Sequence, residues 1–174
     1  KDRDFIGNGM AKVNYGLSFR LEYKGFDLSV ATFGAAGFKV LDYVDMTLRG
    51  SYGATNKSTE LMGAWTPENH STTTPRVAYA SSGSISNDLF SARFLQNGAY
   101  WKISNVEIGY NFKDDWFKGL ISGVRVYLTA QNLYTLTAYK GYNIDFAGGT
   151  FTPGYNYCSY PTPMTFMLGA KLSF

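Results

Sequence analysis

The residues with the chemistry to act at a site are few and scattered. Arg20, Glu22, Glu107 and Arg125 are ionisable residues set at alternate positions of strand-like runs, where acid and base are mixed. Mixed signs fit packing against another polar body better than a selective path for one kind of ion. Tyr127 and Gln131 extend the same polar positions in "GVRVYLTAQNLY". Trp65 and Tyr79 offer flat apolar faces onto which sugar rings can stack, and they are the candidate substrate-binding residues; packing of the loop against its neighbours is the other role open to both, and the favoured one for Trp65. Asp42, Asp45 and Glu60 could be imagined around calcium, but their spacing matches no loop such as the EF-hand, so no metal is expected. His70 is the only histidine, in a Ser/Thr-rich stretch, and reads as an exposed side chain. Cys158 is the only cysteine, which excludes an internal disulfide or a cysteine-cluster metal site. The sequence has no serine nucleophile elbow, zinc motif or phosphate-binding glycine loop. "GNG" near the start and "GGTFTPG" at 148–154 lack the spacing and the following helix. No catalytic residue and no cofactor is therefore expected. With 16 basic and 13 acidic residues spread along the chain, there is no basic stripe for nucleic acid either.

The elements that carry these residues have a period of two. In "VNYGLSFRLEY" the residues Val13, Tyr15, Leu17, Phe19, Leu21 and Tyr23 alternate with Asn14, Gly16, Ser18, Arg20 and Glu22. The same alternation runs through "FDLSVATFGAAG", blurred after Phe33, and through "WKISNVEIGYNF", "GVRVYLTAQNLY" and "PMTFMLGAKLSF". Strands are expected at roughly 12–24, 27–37, 101–112, 123–134 and 163–174. Each has one apolar face, carrying Leu17, Phe19, Leu21, Val106, Ile108, Val126, Leu128, Phe166, Leu168 and Leu172, and one polar face. Such strands suit a soluble sandwich, whose apolar faces meet each other, or an outer-membrane barrel, whose apolar faces meet lipid. A content of 14 Tyr, 13 Phe, 3 Trp and 19 Gly favours sheet, and no apolar run is long enough for a membrane helix.

Connection lengths discriminate between the two. Lys24-Gly25 and "KDDWFKGLISG" are short, whereas 38–100 and 135–162 are long, and a barrel sorts short periplasmic turns from long extracellular loops in this way. Tyr23, Phe26, Tyr110 and Phe112 then gather at one level and Tyr100, Trp101 and Tyr134 at the other, as in the aromatic girdles at two lipid-water interfaces. Within 38–100, "VLDYVDMTLRGSYG" is expected to add one or two irregular strands. Five strands cannot close a barrel, so the chain reads as all-β, an antiparallel transmembrane segment of a larger barrel. The start, "KDRDFIGNGMAK", has no apolar core of a signal peptide; either a signal has been removed or the chain is a fragment.

"GAWTPENHSTTTPR" (63–76), "SARFLQNGAYWKISNVEIGYNF" (91–112), "VRVYLTAQNLYTLTAYKGYNID" (124–145) and "YPTPMTFMLGAKLSF" (160–174) stand in the order and spacing of the C-terminus of SusC/RagA-type TonB-dependent transporters of Bacteroidetes. "FIGNGMAKVNYGLSFRLEYKGFDLSV" resembles the stretch that precedes them, so the resemblance covers nearly the whole chain. It implies a 22-stranded barrel with a plug that is absent from these residues, energised through the TonB complex. It also implies a SusD-like surface lipoprotein lidding the extracellular mouth, oligosaccharide or peptide substrates, and a location in the bacterial outer membrane. Arg20, Glu22, Glu107, Arg125, Tyr127 and Gln131 would then face the lumen and plug. The terminal Phe174 resembles the signal read by the barrel-assembly machinery.

Two other readings stay open on the residues alone: a soluble extracellular β-sheet domain that binds glycans, and a small autonomous barrel with further strands inside 38–100. A pair of substitutions separates lipid from solvent. Leu168→Arg is expected to cost about 2–4 kcal/mol if the side chain faces mid-bilayer lipid, and Gly169→Ser on the opposite face to be mild.

Overall fold

The computed structural model describes residues 4–50, 55–77, 91–112, 123–145 and 151–173. Tyr79 and Phe174 lie outside the described residues. The chain divides into two compact units, one made of 1–10, 38–98 and 139–160, the other of 11–37, 99–138 and 161–174.

The second unit is a five-stranded antiparallel sheet of β1 (Val13–Tyr23), β2 (Phe26–Ala36), β5 (Tyr100–Phe112), β6 (Gly123–Thr137) and β8 (Thr165–Ser173), in the order β1-β2-β5-β6-β8. β1 and β2 form a two-residue hairpin in which Lys24 (φ 49°) and Gly25 (φ 91°) are both left-handed. Positive φ at both central positions matches the turn twist to the strand twist. β6 continues to Thr137, beyond the expected end at 134.

The register puts the alternation of every strand on common faces. Leu21, Leu28, Ile108, Leu128 and Leu168 are successive cross-strand neighbours, and so are Phe19, Val30, Val106, Ala130 and Phe166. Phe33, which blurs the pattern of β2, lies on the other face, with Lys102 Nζ 5.7 Å from its ring centre. A bulge interrupts β5 at Ser104, whose Oγ donates to Ala31 O at 2.8 Å, and Asn132 on β6 takes up the irregularity with φ 54°. One extra residue reverses the parity of β5. Trp101 and Ile103 thereby join the apolar face with Tyr134 and Leu136, and Tyr100 passes to the polar face with Lys102.

The other unit holds the three-stranded sheet β4-β3-β7, from β3 (Lys39–Asp42), β4 (Leu95–Asn97) and β7 (Tyr155–Asn156), with α1 (Tyr43–Arg49). Of "VLDYVDMTLRGSYG", expected to add one or two strands, Val40–Asp42 belong to a single short strand and Tyr43–Arg49 are helix, while 51–53 lie outside the described residues. Asp42 ends the strand and caps the helix, its Oδ1 accepting from Val44 N–H at 3.0 Å and Asp45 N–H at 3.2 Å. Arg49, one helical turn after Asp45, pairs with it along the helix face. Val40 and Phe94 are fully buried at the centre of this unit.

Candidate functional site

The polar face of the sheet converges on Arg125. Its Nε donates to Asp27 Oδ1 at 3.0 Å and its Nη2 reaches Asp27 Oδ2 at 2.5 Å and Glu107 Oε1 at 2.7 Å. Thr129 Oγ1 donates to Glu107 Oε2 at 3.0 Å and Asn111 Nδ2 to Asp27 Oδ1 at 3.0 Å. One guanidinium thus bridges carboxylates from β2 and β5 while rooted on β6. The bridge needs Gly109 between them: a Cβ there would lie 2.6 Å from Arg125 Nη2 and 2.7 Å from Asp27 Oδ1. Arg125 also lies 5.0 Å from the centre of the Tyr127 ring, and Tyr127 covers Gly169 on β8.

Arg20, Glu22, Glu107, Arg125, Tyr127 and Gln131 all occupy this face by register, and only Glu107, Arg125 and Tyr127 come together. Arg20 and Glu22 form a separate exposed pair at 2.9 Å. Asp27, the most buried member of the cluster at 4% exposed, is absent from the residues that the sequence singles out. Its position opposite Glu22, four residues after the last residue of a clean alternation, is the signal that marks it. The cluster is saturated with internal partners, which makes it a strut across three strands and not a place for a ligand.

The apolar face carries Leu17, Phe19, Leu21, Val106, Ile108, Val126, Leu128, Phe166, Leu168 and Leu172. Leu17 is 67% exposed and Leu168 78%. Aromatic rings bound this face at both ends. Phe26 and Tyr110 have ring centres 4.6 Å apart, and Tyr110 and Phe112 4.9 Å apart, near the hairpin end. At the other end stand Trp101 and Tyr134, joined by Tyr15, whose hydroxyl donates to Tyr100 O at 2.7 Å. An exposed apolar sheet face of this extent, bounded by aromatic rings, is a surface for apolar contact.

In the loop-derived unit Trp65 lies parallel to His70, at 8° with ring centres 5.8 Å apart. Asn69 shapes that turn by donating to Gly63 O at 3.3 Å and Ala64 O at 3.1 Å. One face of Trp65 is therefore turned to a histidine ring. Asp42, Asp45 and Glu60 do not converge: Asp42 caps α1, Asp45 holds Arg49, and Glu60 reaches the same Arg49 at 3.5 Å. Its hydrogen bond with Asp45, more than any other contact, holds Arg49 above its ordinary pKa. Asp42 also accepts from the Tyr139 hydroxyl at 2.9 Å, and Asn156 Nδ2 donates to the same hydroxyl at 2.6 Å, closing a buried clasp between 42, 139 and 156. Burial pushes the Tyr139 hydroxyl well up from its usual range. Cys158 is exposed.

No family model matches the chain. Over 181 residues it is 32% identical to the TonB-dependent receptor P3 of Formosa agariphila, covering 99% of this chain and 17% of that protein. It is 29% identical over 163 residues to the TonB-dependent receptor SusC of Bacteroides thetaiotaomicron, covering 91% of this chain and 15% of SusC. The fold superposes on the RagAB peptide importer in its open-open state with TM-score 0.79 and 25% identity, over 95% of this chain and 17% of that one. The chain spans less than a fifth of the length of the curated relatives it matches.

Proposed function

Because the chain is a barrel segment of the SusC/RagA-type TonB-dependent transporter family, we propose that it forms five adjacent strands in the wall of an outer-membrane nutrient importer. The observation that carries this reading is the apolar face of the sheet, interrupted by Thr32 but carrying the exposed side chains Leu17, Phe26, Ile108, Leu128 and Leu168 on successive strands and bounded by aromatic rows, opposite a hydrogen-bonded polar face. In this reading the apolar face meets lipid. Arg20, Glu22, Tyr127, Gln131 and the Arg125 cluster face the lumen, where a plug fills the space in a barrel of 22 strands. The Lys24-Gly25 hairpin is periplasmic, and the long stretches 38–100 and 135–162 are extracellular loops.

Substrate and partners follow the relatives. One relative is a TonB-dependent receptor and a similar solved structure is a peptide importer, which supports import of peptides driven by the TonB complex; oligosaccharides as substrates and delivery with a SusD-like surface lipoprotein are what the SusC/RagA resemblance implies. Trp65 is the substrate contact on the described loops, through its open face and edge. The soluble glycan-binding alternative requires a second sheet against the apolar face.

The test is uptake by cells carrying the complete transporter. Cells that express it should accumulate labelled peptides or oligosaccharides, lose that uptake when TonB is deleted, and retain the protein in the outer-membrane fraction. Recovery of the protein in the soluble extracellular fraction would overturn the reading.

A further inference from the structure

The loop-derived unit contains a cleft of about 200 Å³ to which neither the strut on the sheet nor Trp65 belongs. Segment 6–9, strand β3 and segment 153–155 cross to form it, with Leu95 of β4 closing one side. Lys39 N–H donates to Asn8 O at 2.8 Å and Leu41 N–H to Gly154 O at 2.7 Å. The crossing is too close for side chains: a Cβ on Gly9 would fall 1.9 Å from Pro153 O, and one on Gly154, at φ 74°, would fall 2.5 Å from Lys39 O. The cleft is thus fixed by backbone contacts and exists before anything binds, which removes an ordering cost from binding.

Its walls are apolar. Ile6, Leu41, Leu95 and Pro153 line it with Tyr155, whose ring is backed by Tyr43 and Tyr157 at 6.1 and 6.3 Å. Lys39 is the cation at the rim. Its aliphatic stem packs against Gly7, the side chain is exposed, and it has no ion-pair partner among the described residues. The occupant must therefore combine a small apolar body with an adjacent negative charge. A sugar ring fits less well, because Ile6, Leu41, Leu95 and Pro153 are aliphatic and leave only Asn8, Tyr155 and Lys39 among the lining side chains to meet its hydroxyls.

We propose that this cleft receives the C-terminal residue of a peptide, with an aliphatic side chain between Ile6, Leu41 and Leu95 and the terminal carboxylate on Lys39. The assignment rests on the import reading and narrows its substrate class. It places a recognition step on the loop-derived unit, where a free carboxylate distinguishes short peptides from internal stretches of a folded protein. A cation beside an apolar slot reads both features at once.

The test uses the complete transporter purified in detergent and an N-terminally fluorescein-labelled tripeptide, alanyl-alanyl-leucine, as free acid and as amide. Fluorescence anisotropy should show the acid bound about fivefold more tightly at low salt, equivalent to about 1 kcal/mol. Lys39→Gln, on the exposed rim, should remove that preference, so that acid and amide bind alike, and Lys39→Arg should keep it. Equal binding of acid and amide by the unaltered protein, or an intact preference in Lys39→Gln, overturns the proposal. If TonB-dependent peptide uptake persists without the acid preference, the cleft assignment fails and the import reading stands. If neither peptide nor glycan is imported, the import reading fails and takes the cleft with it.

Discussion

Val106→Arg places a cation on the apolar face at a position whose depth can be read along its own strand. β5 carries an aromatic marker at each end of the apolar band, Trp101 and Tyr110, nine residues apart with one bulge residue between them. At about 3.4 Å per residue they lie roughly 30 Å apart along the strand, and a tilt of about 40° brings this to roughly 23 Å across the membrane. That is close to the height of about 25 Å expected of a barrel's lipid-facing band. Val106 stands four residues from Tyr110 and five from Trp101, between Val30 and Ala130, and so lies near the midplane. The arginine should destabilise the barrel by about 2–4 kcal/mol there, against about 0–1 kcal/mol for Val124→Arg beside Phe112 at the band's edge. Ser18→Arg, on the exposed polar face of β1, is the control for adding the same charge without lipid. The assay is heat-modifiability of the complete transporter on semi-native gels, in which folded barrels run ahead of unfolded chains. The expected order of loss is Val106→Arg first, then Val124→Arg and Ser18→Arg together. If all three variants melt alike, lipid does not cover this face and the depth argument is refuted.

Three further outcomes follow from contacts elsewhere. Arg125→Met removes the only cation that bridges Asp27 and Glu107 among the described residues, and should cost about 3–5 kcal/mol because it leaves the buried Asp27 carboxylate uncompensated; Asp27→Asn added to it should recover part of that loss. Additive losses in the same gel assay would show that the bridge is not coupled. Gly169→Ser, expected from alternation to be mild, instead sets a Cβ 2.4 Å from the Tyr127 ring and should impair assembly of β8, whereas Gly169→Ser combined with Tyr127→Ala should assemble better than Gly169→Ser alone. Equal outer-membrane yield of Gly169→Ser and the unaltered protein would show that Tyr127 moves aside freely. Tyr139→Phe leaves Asp42 and Asn156 without a shared partner and should loosen the clasp by about 1–3 kcal/mol, read as faster hydrogen exchange of segments 139–145 and 153–157; unchanged exchange would remove the clasp from the account. Because burial raises the Tyr139 hydroxyl pKa, the folded unit holds that proton more tightly than the unfolded chain does. The stabilisation is whole below the ordinary tyrosine pKa, about 10, and is lost as pH rises beyond it.

The strands are legible because the two faces of the sheet make opposite demands on alternate residues, and the sequence records both demands within a few residues. The irregular features are not. Nothing in "WKISNVEIGYNF" announces that Ser104 is an extra residue, so the parity that holds from Val106 to Phe112 reads as if it continued to Tyr100 when it reverses instead. The aromatic row at that end therefore gains Tyr15 and loses Tyr100, a change that follows from the pairing of Tyr15 with Gly34 and of Gly34 with Trp101. In "VLDYVDMTLRG" the apolar, β-branched start suggests strand, and that reading takes no account of the capping aspartate that ends β3 and begins a helix. The clasp at Tyr139 and the cleft at Lys39 lie beyond reach for a different reason. Each joins segments about a hundred residues or more apart, and pairings of that kind leave no local periodicity to read.

A lipid-facing surface sets depth but cannot set register. Leu21 beside Leu28, or Phe19 beside Val30, would satisfy lipid equally well after a slip of two residues, since the solvent against them is the same at every register. The information must therefore sit on the other face, and there the contacts are specific. Arg125 meets Asp27 and Glu107 only when β2, β5 and β6 are aligned as they are, and Tyr127 finds room only over Gly169. These two contacts lie side by side on β6, one reaching toward β2 and the other toward β8. Glu107 and Arg125, read from the sequence as packing against another polar body, thus serve first to align the strands, whose apolar faces alone leave slips of two residues open.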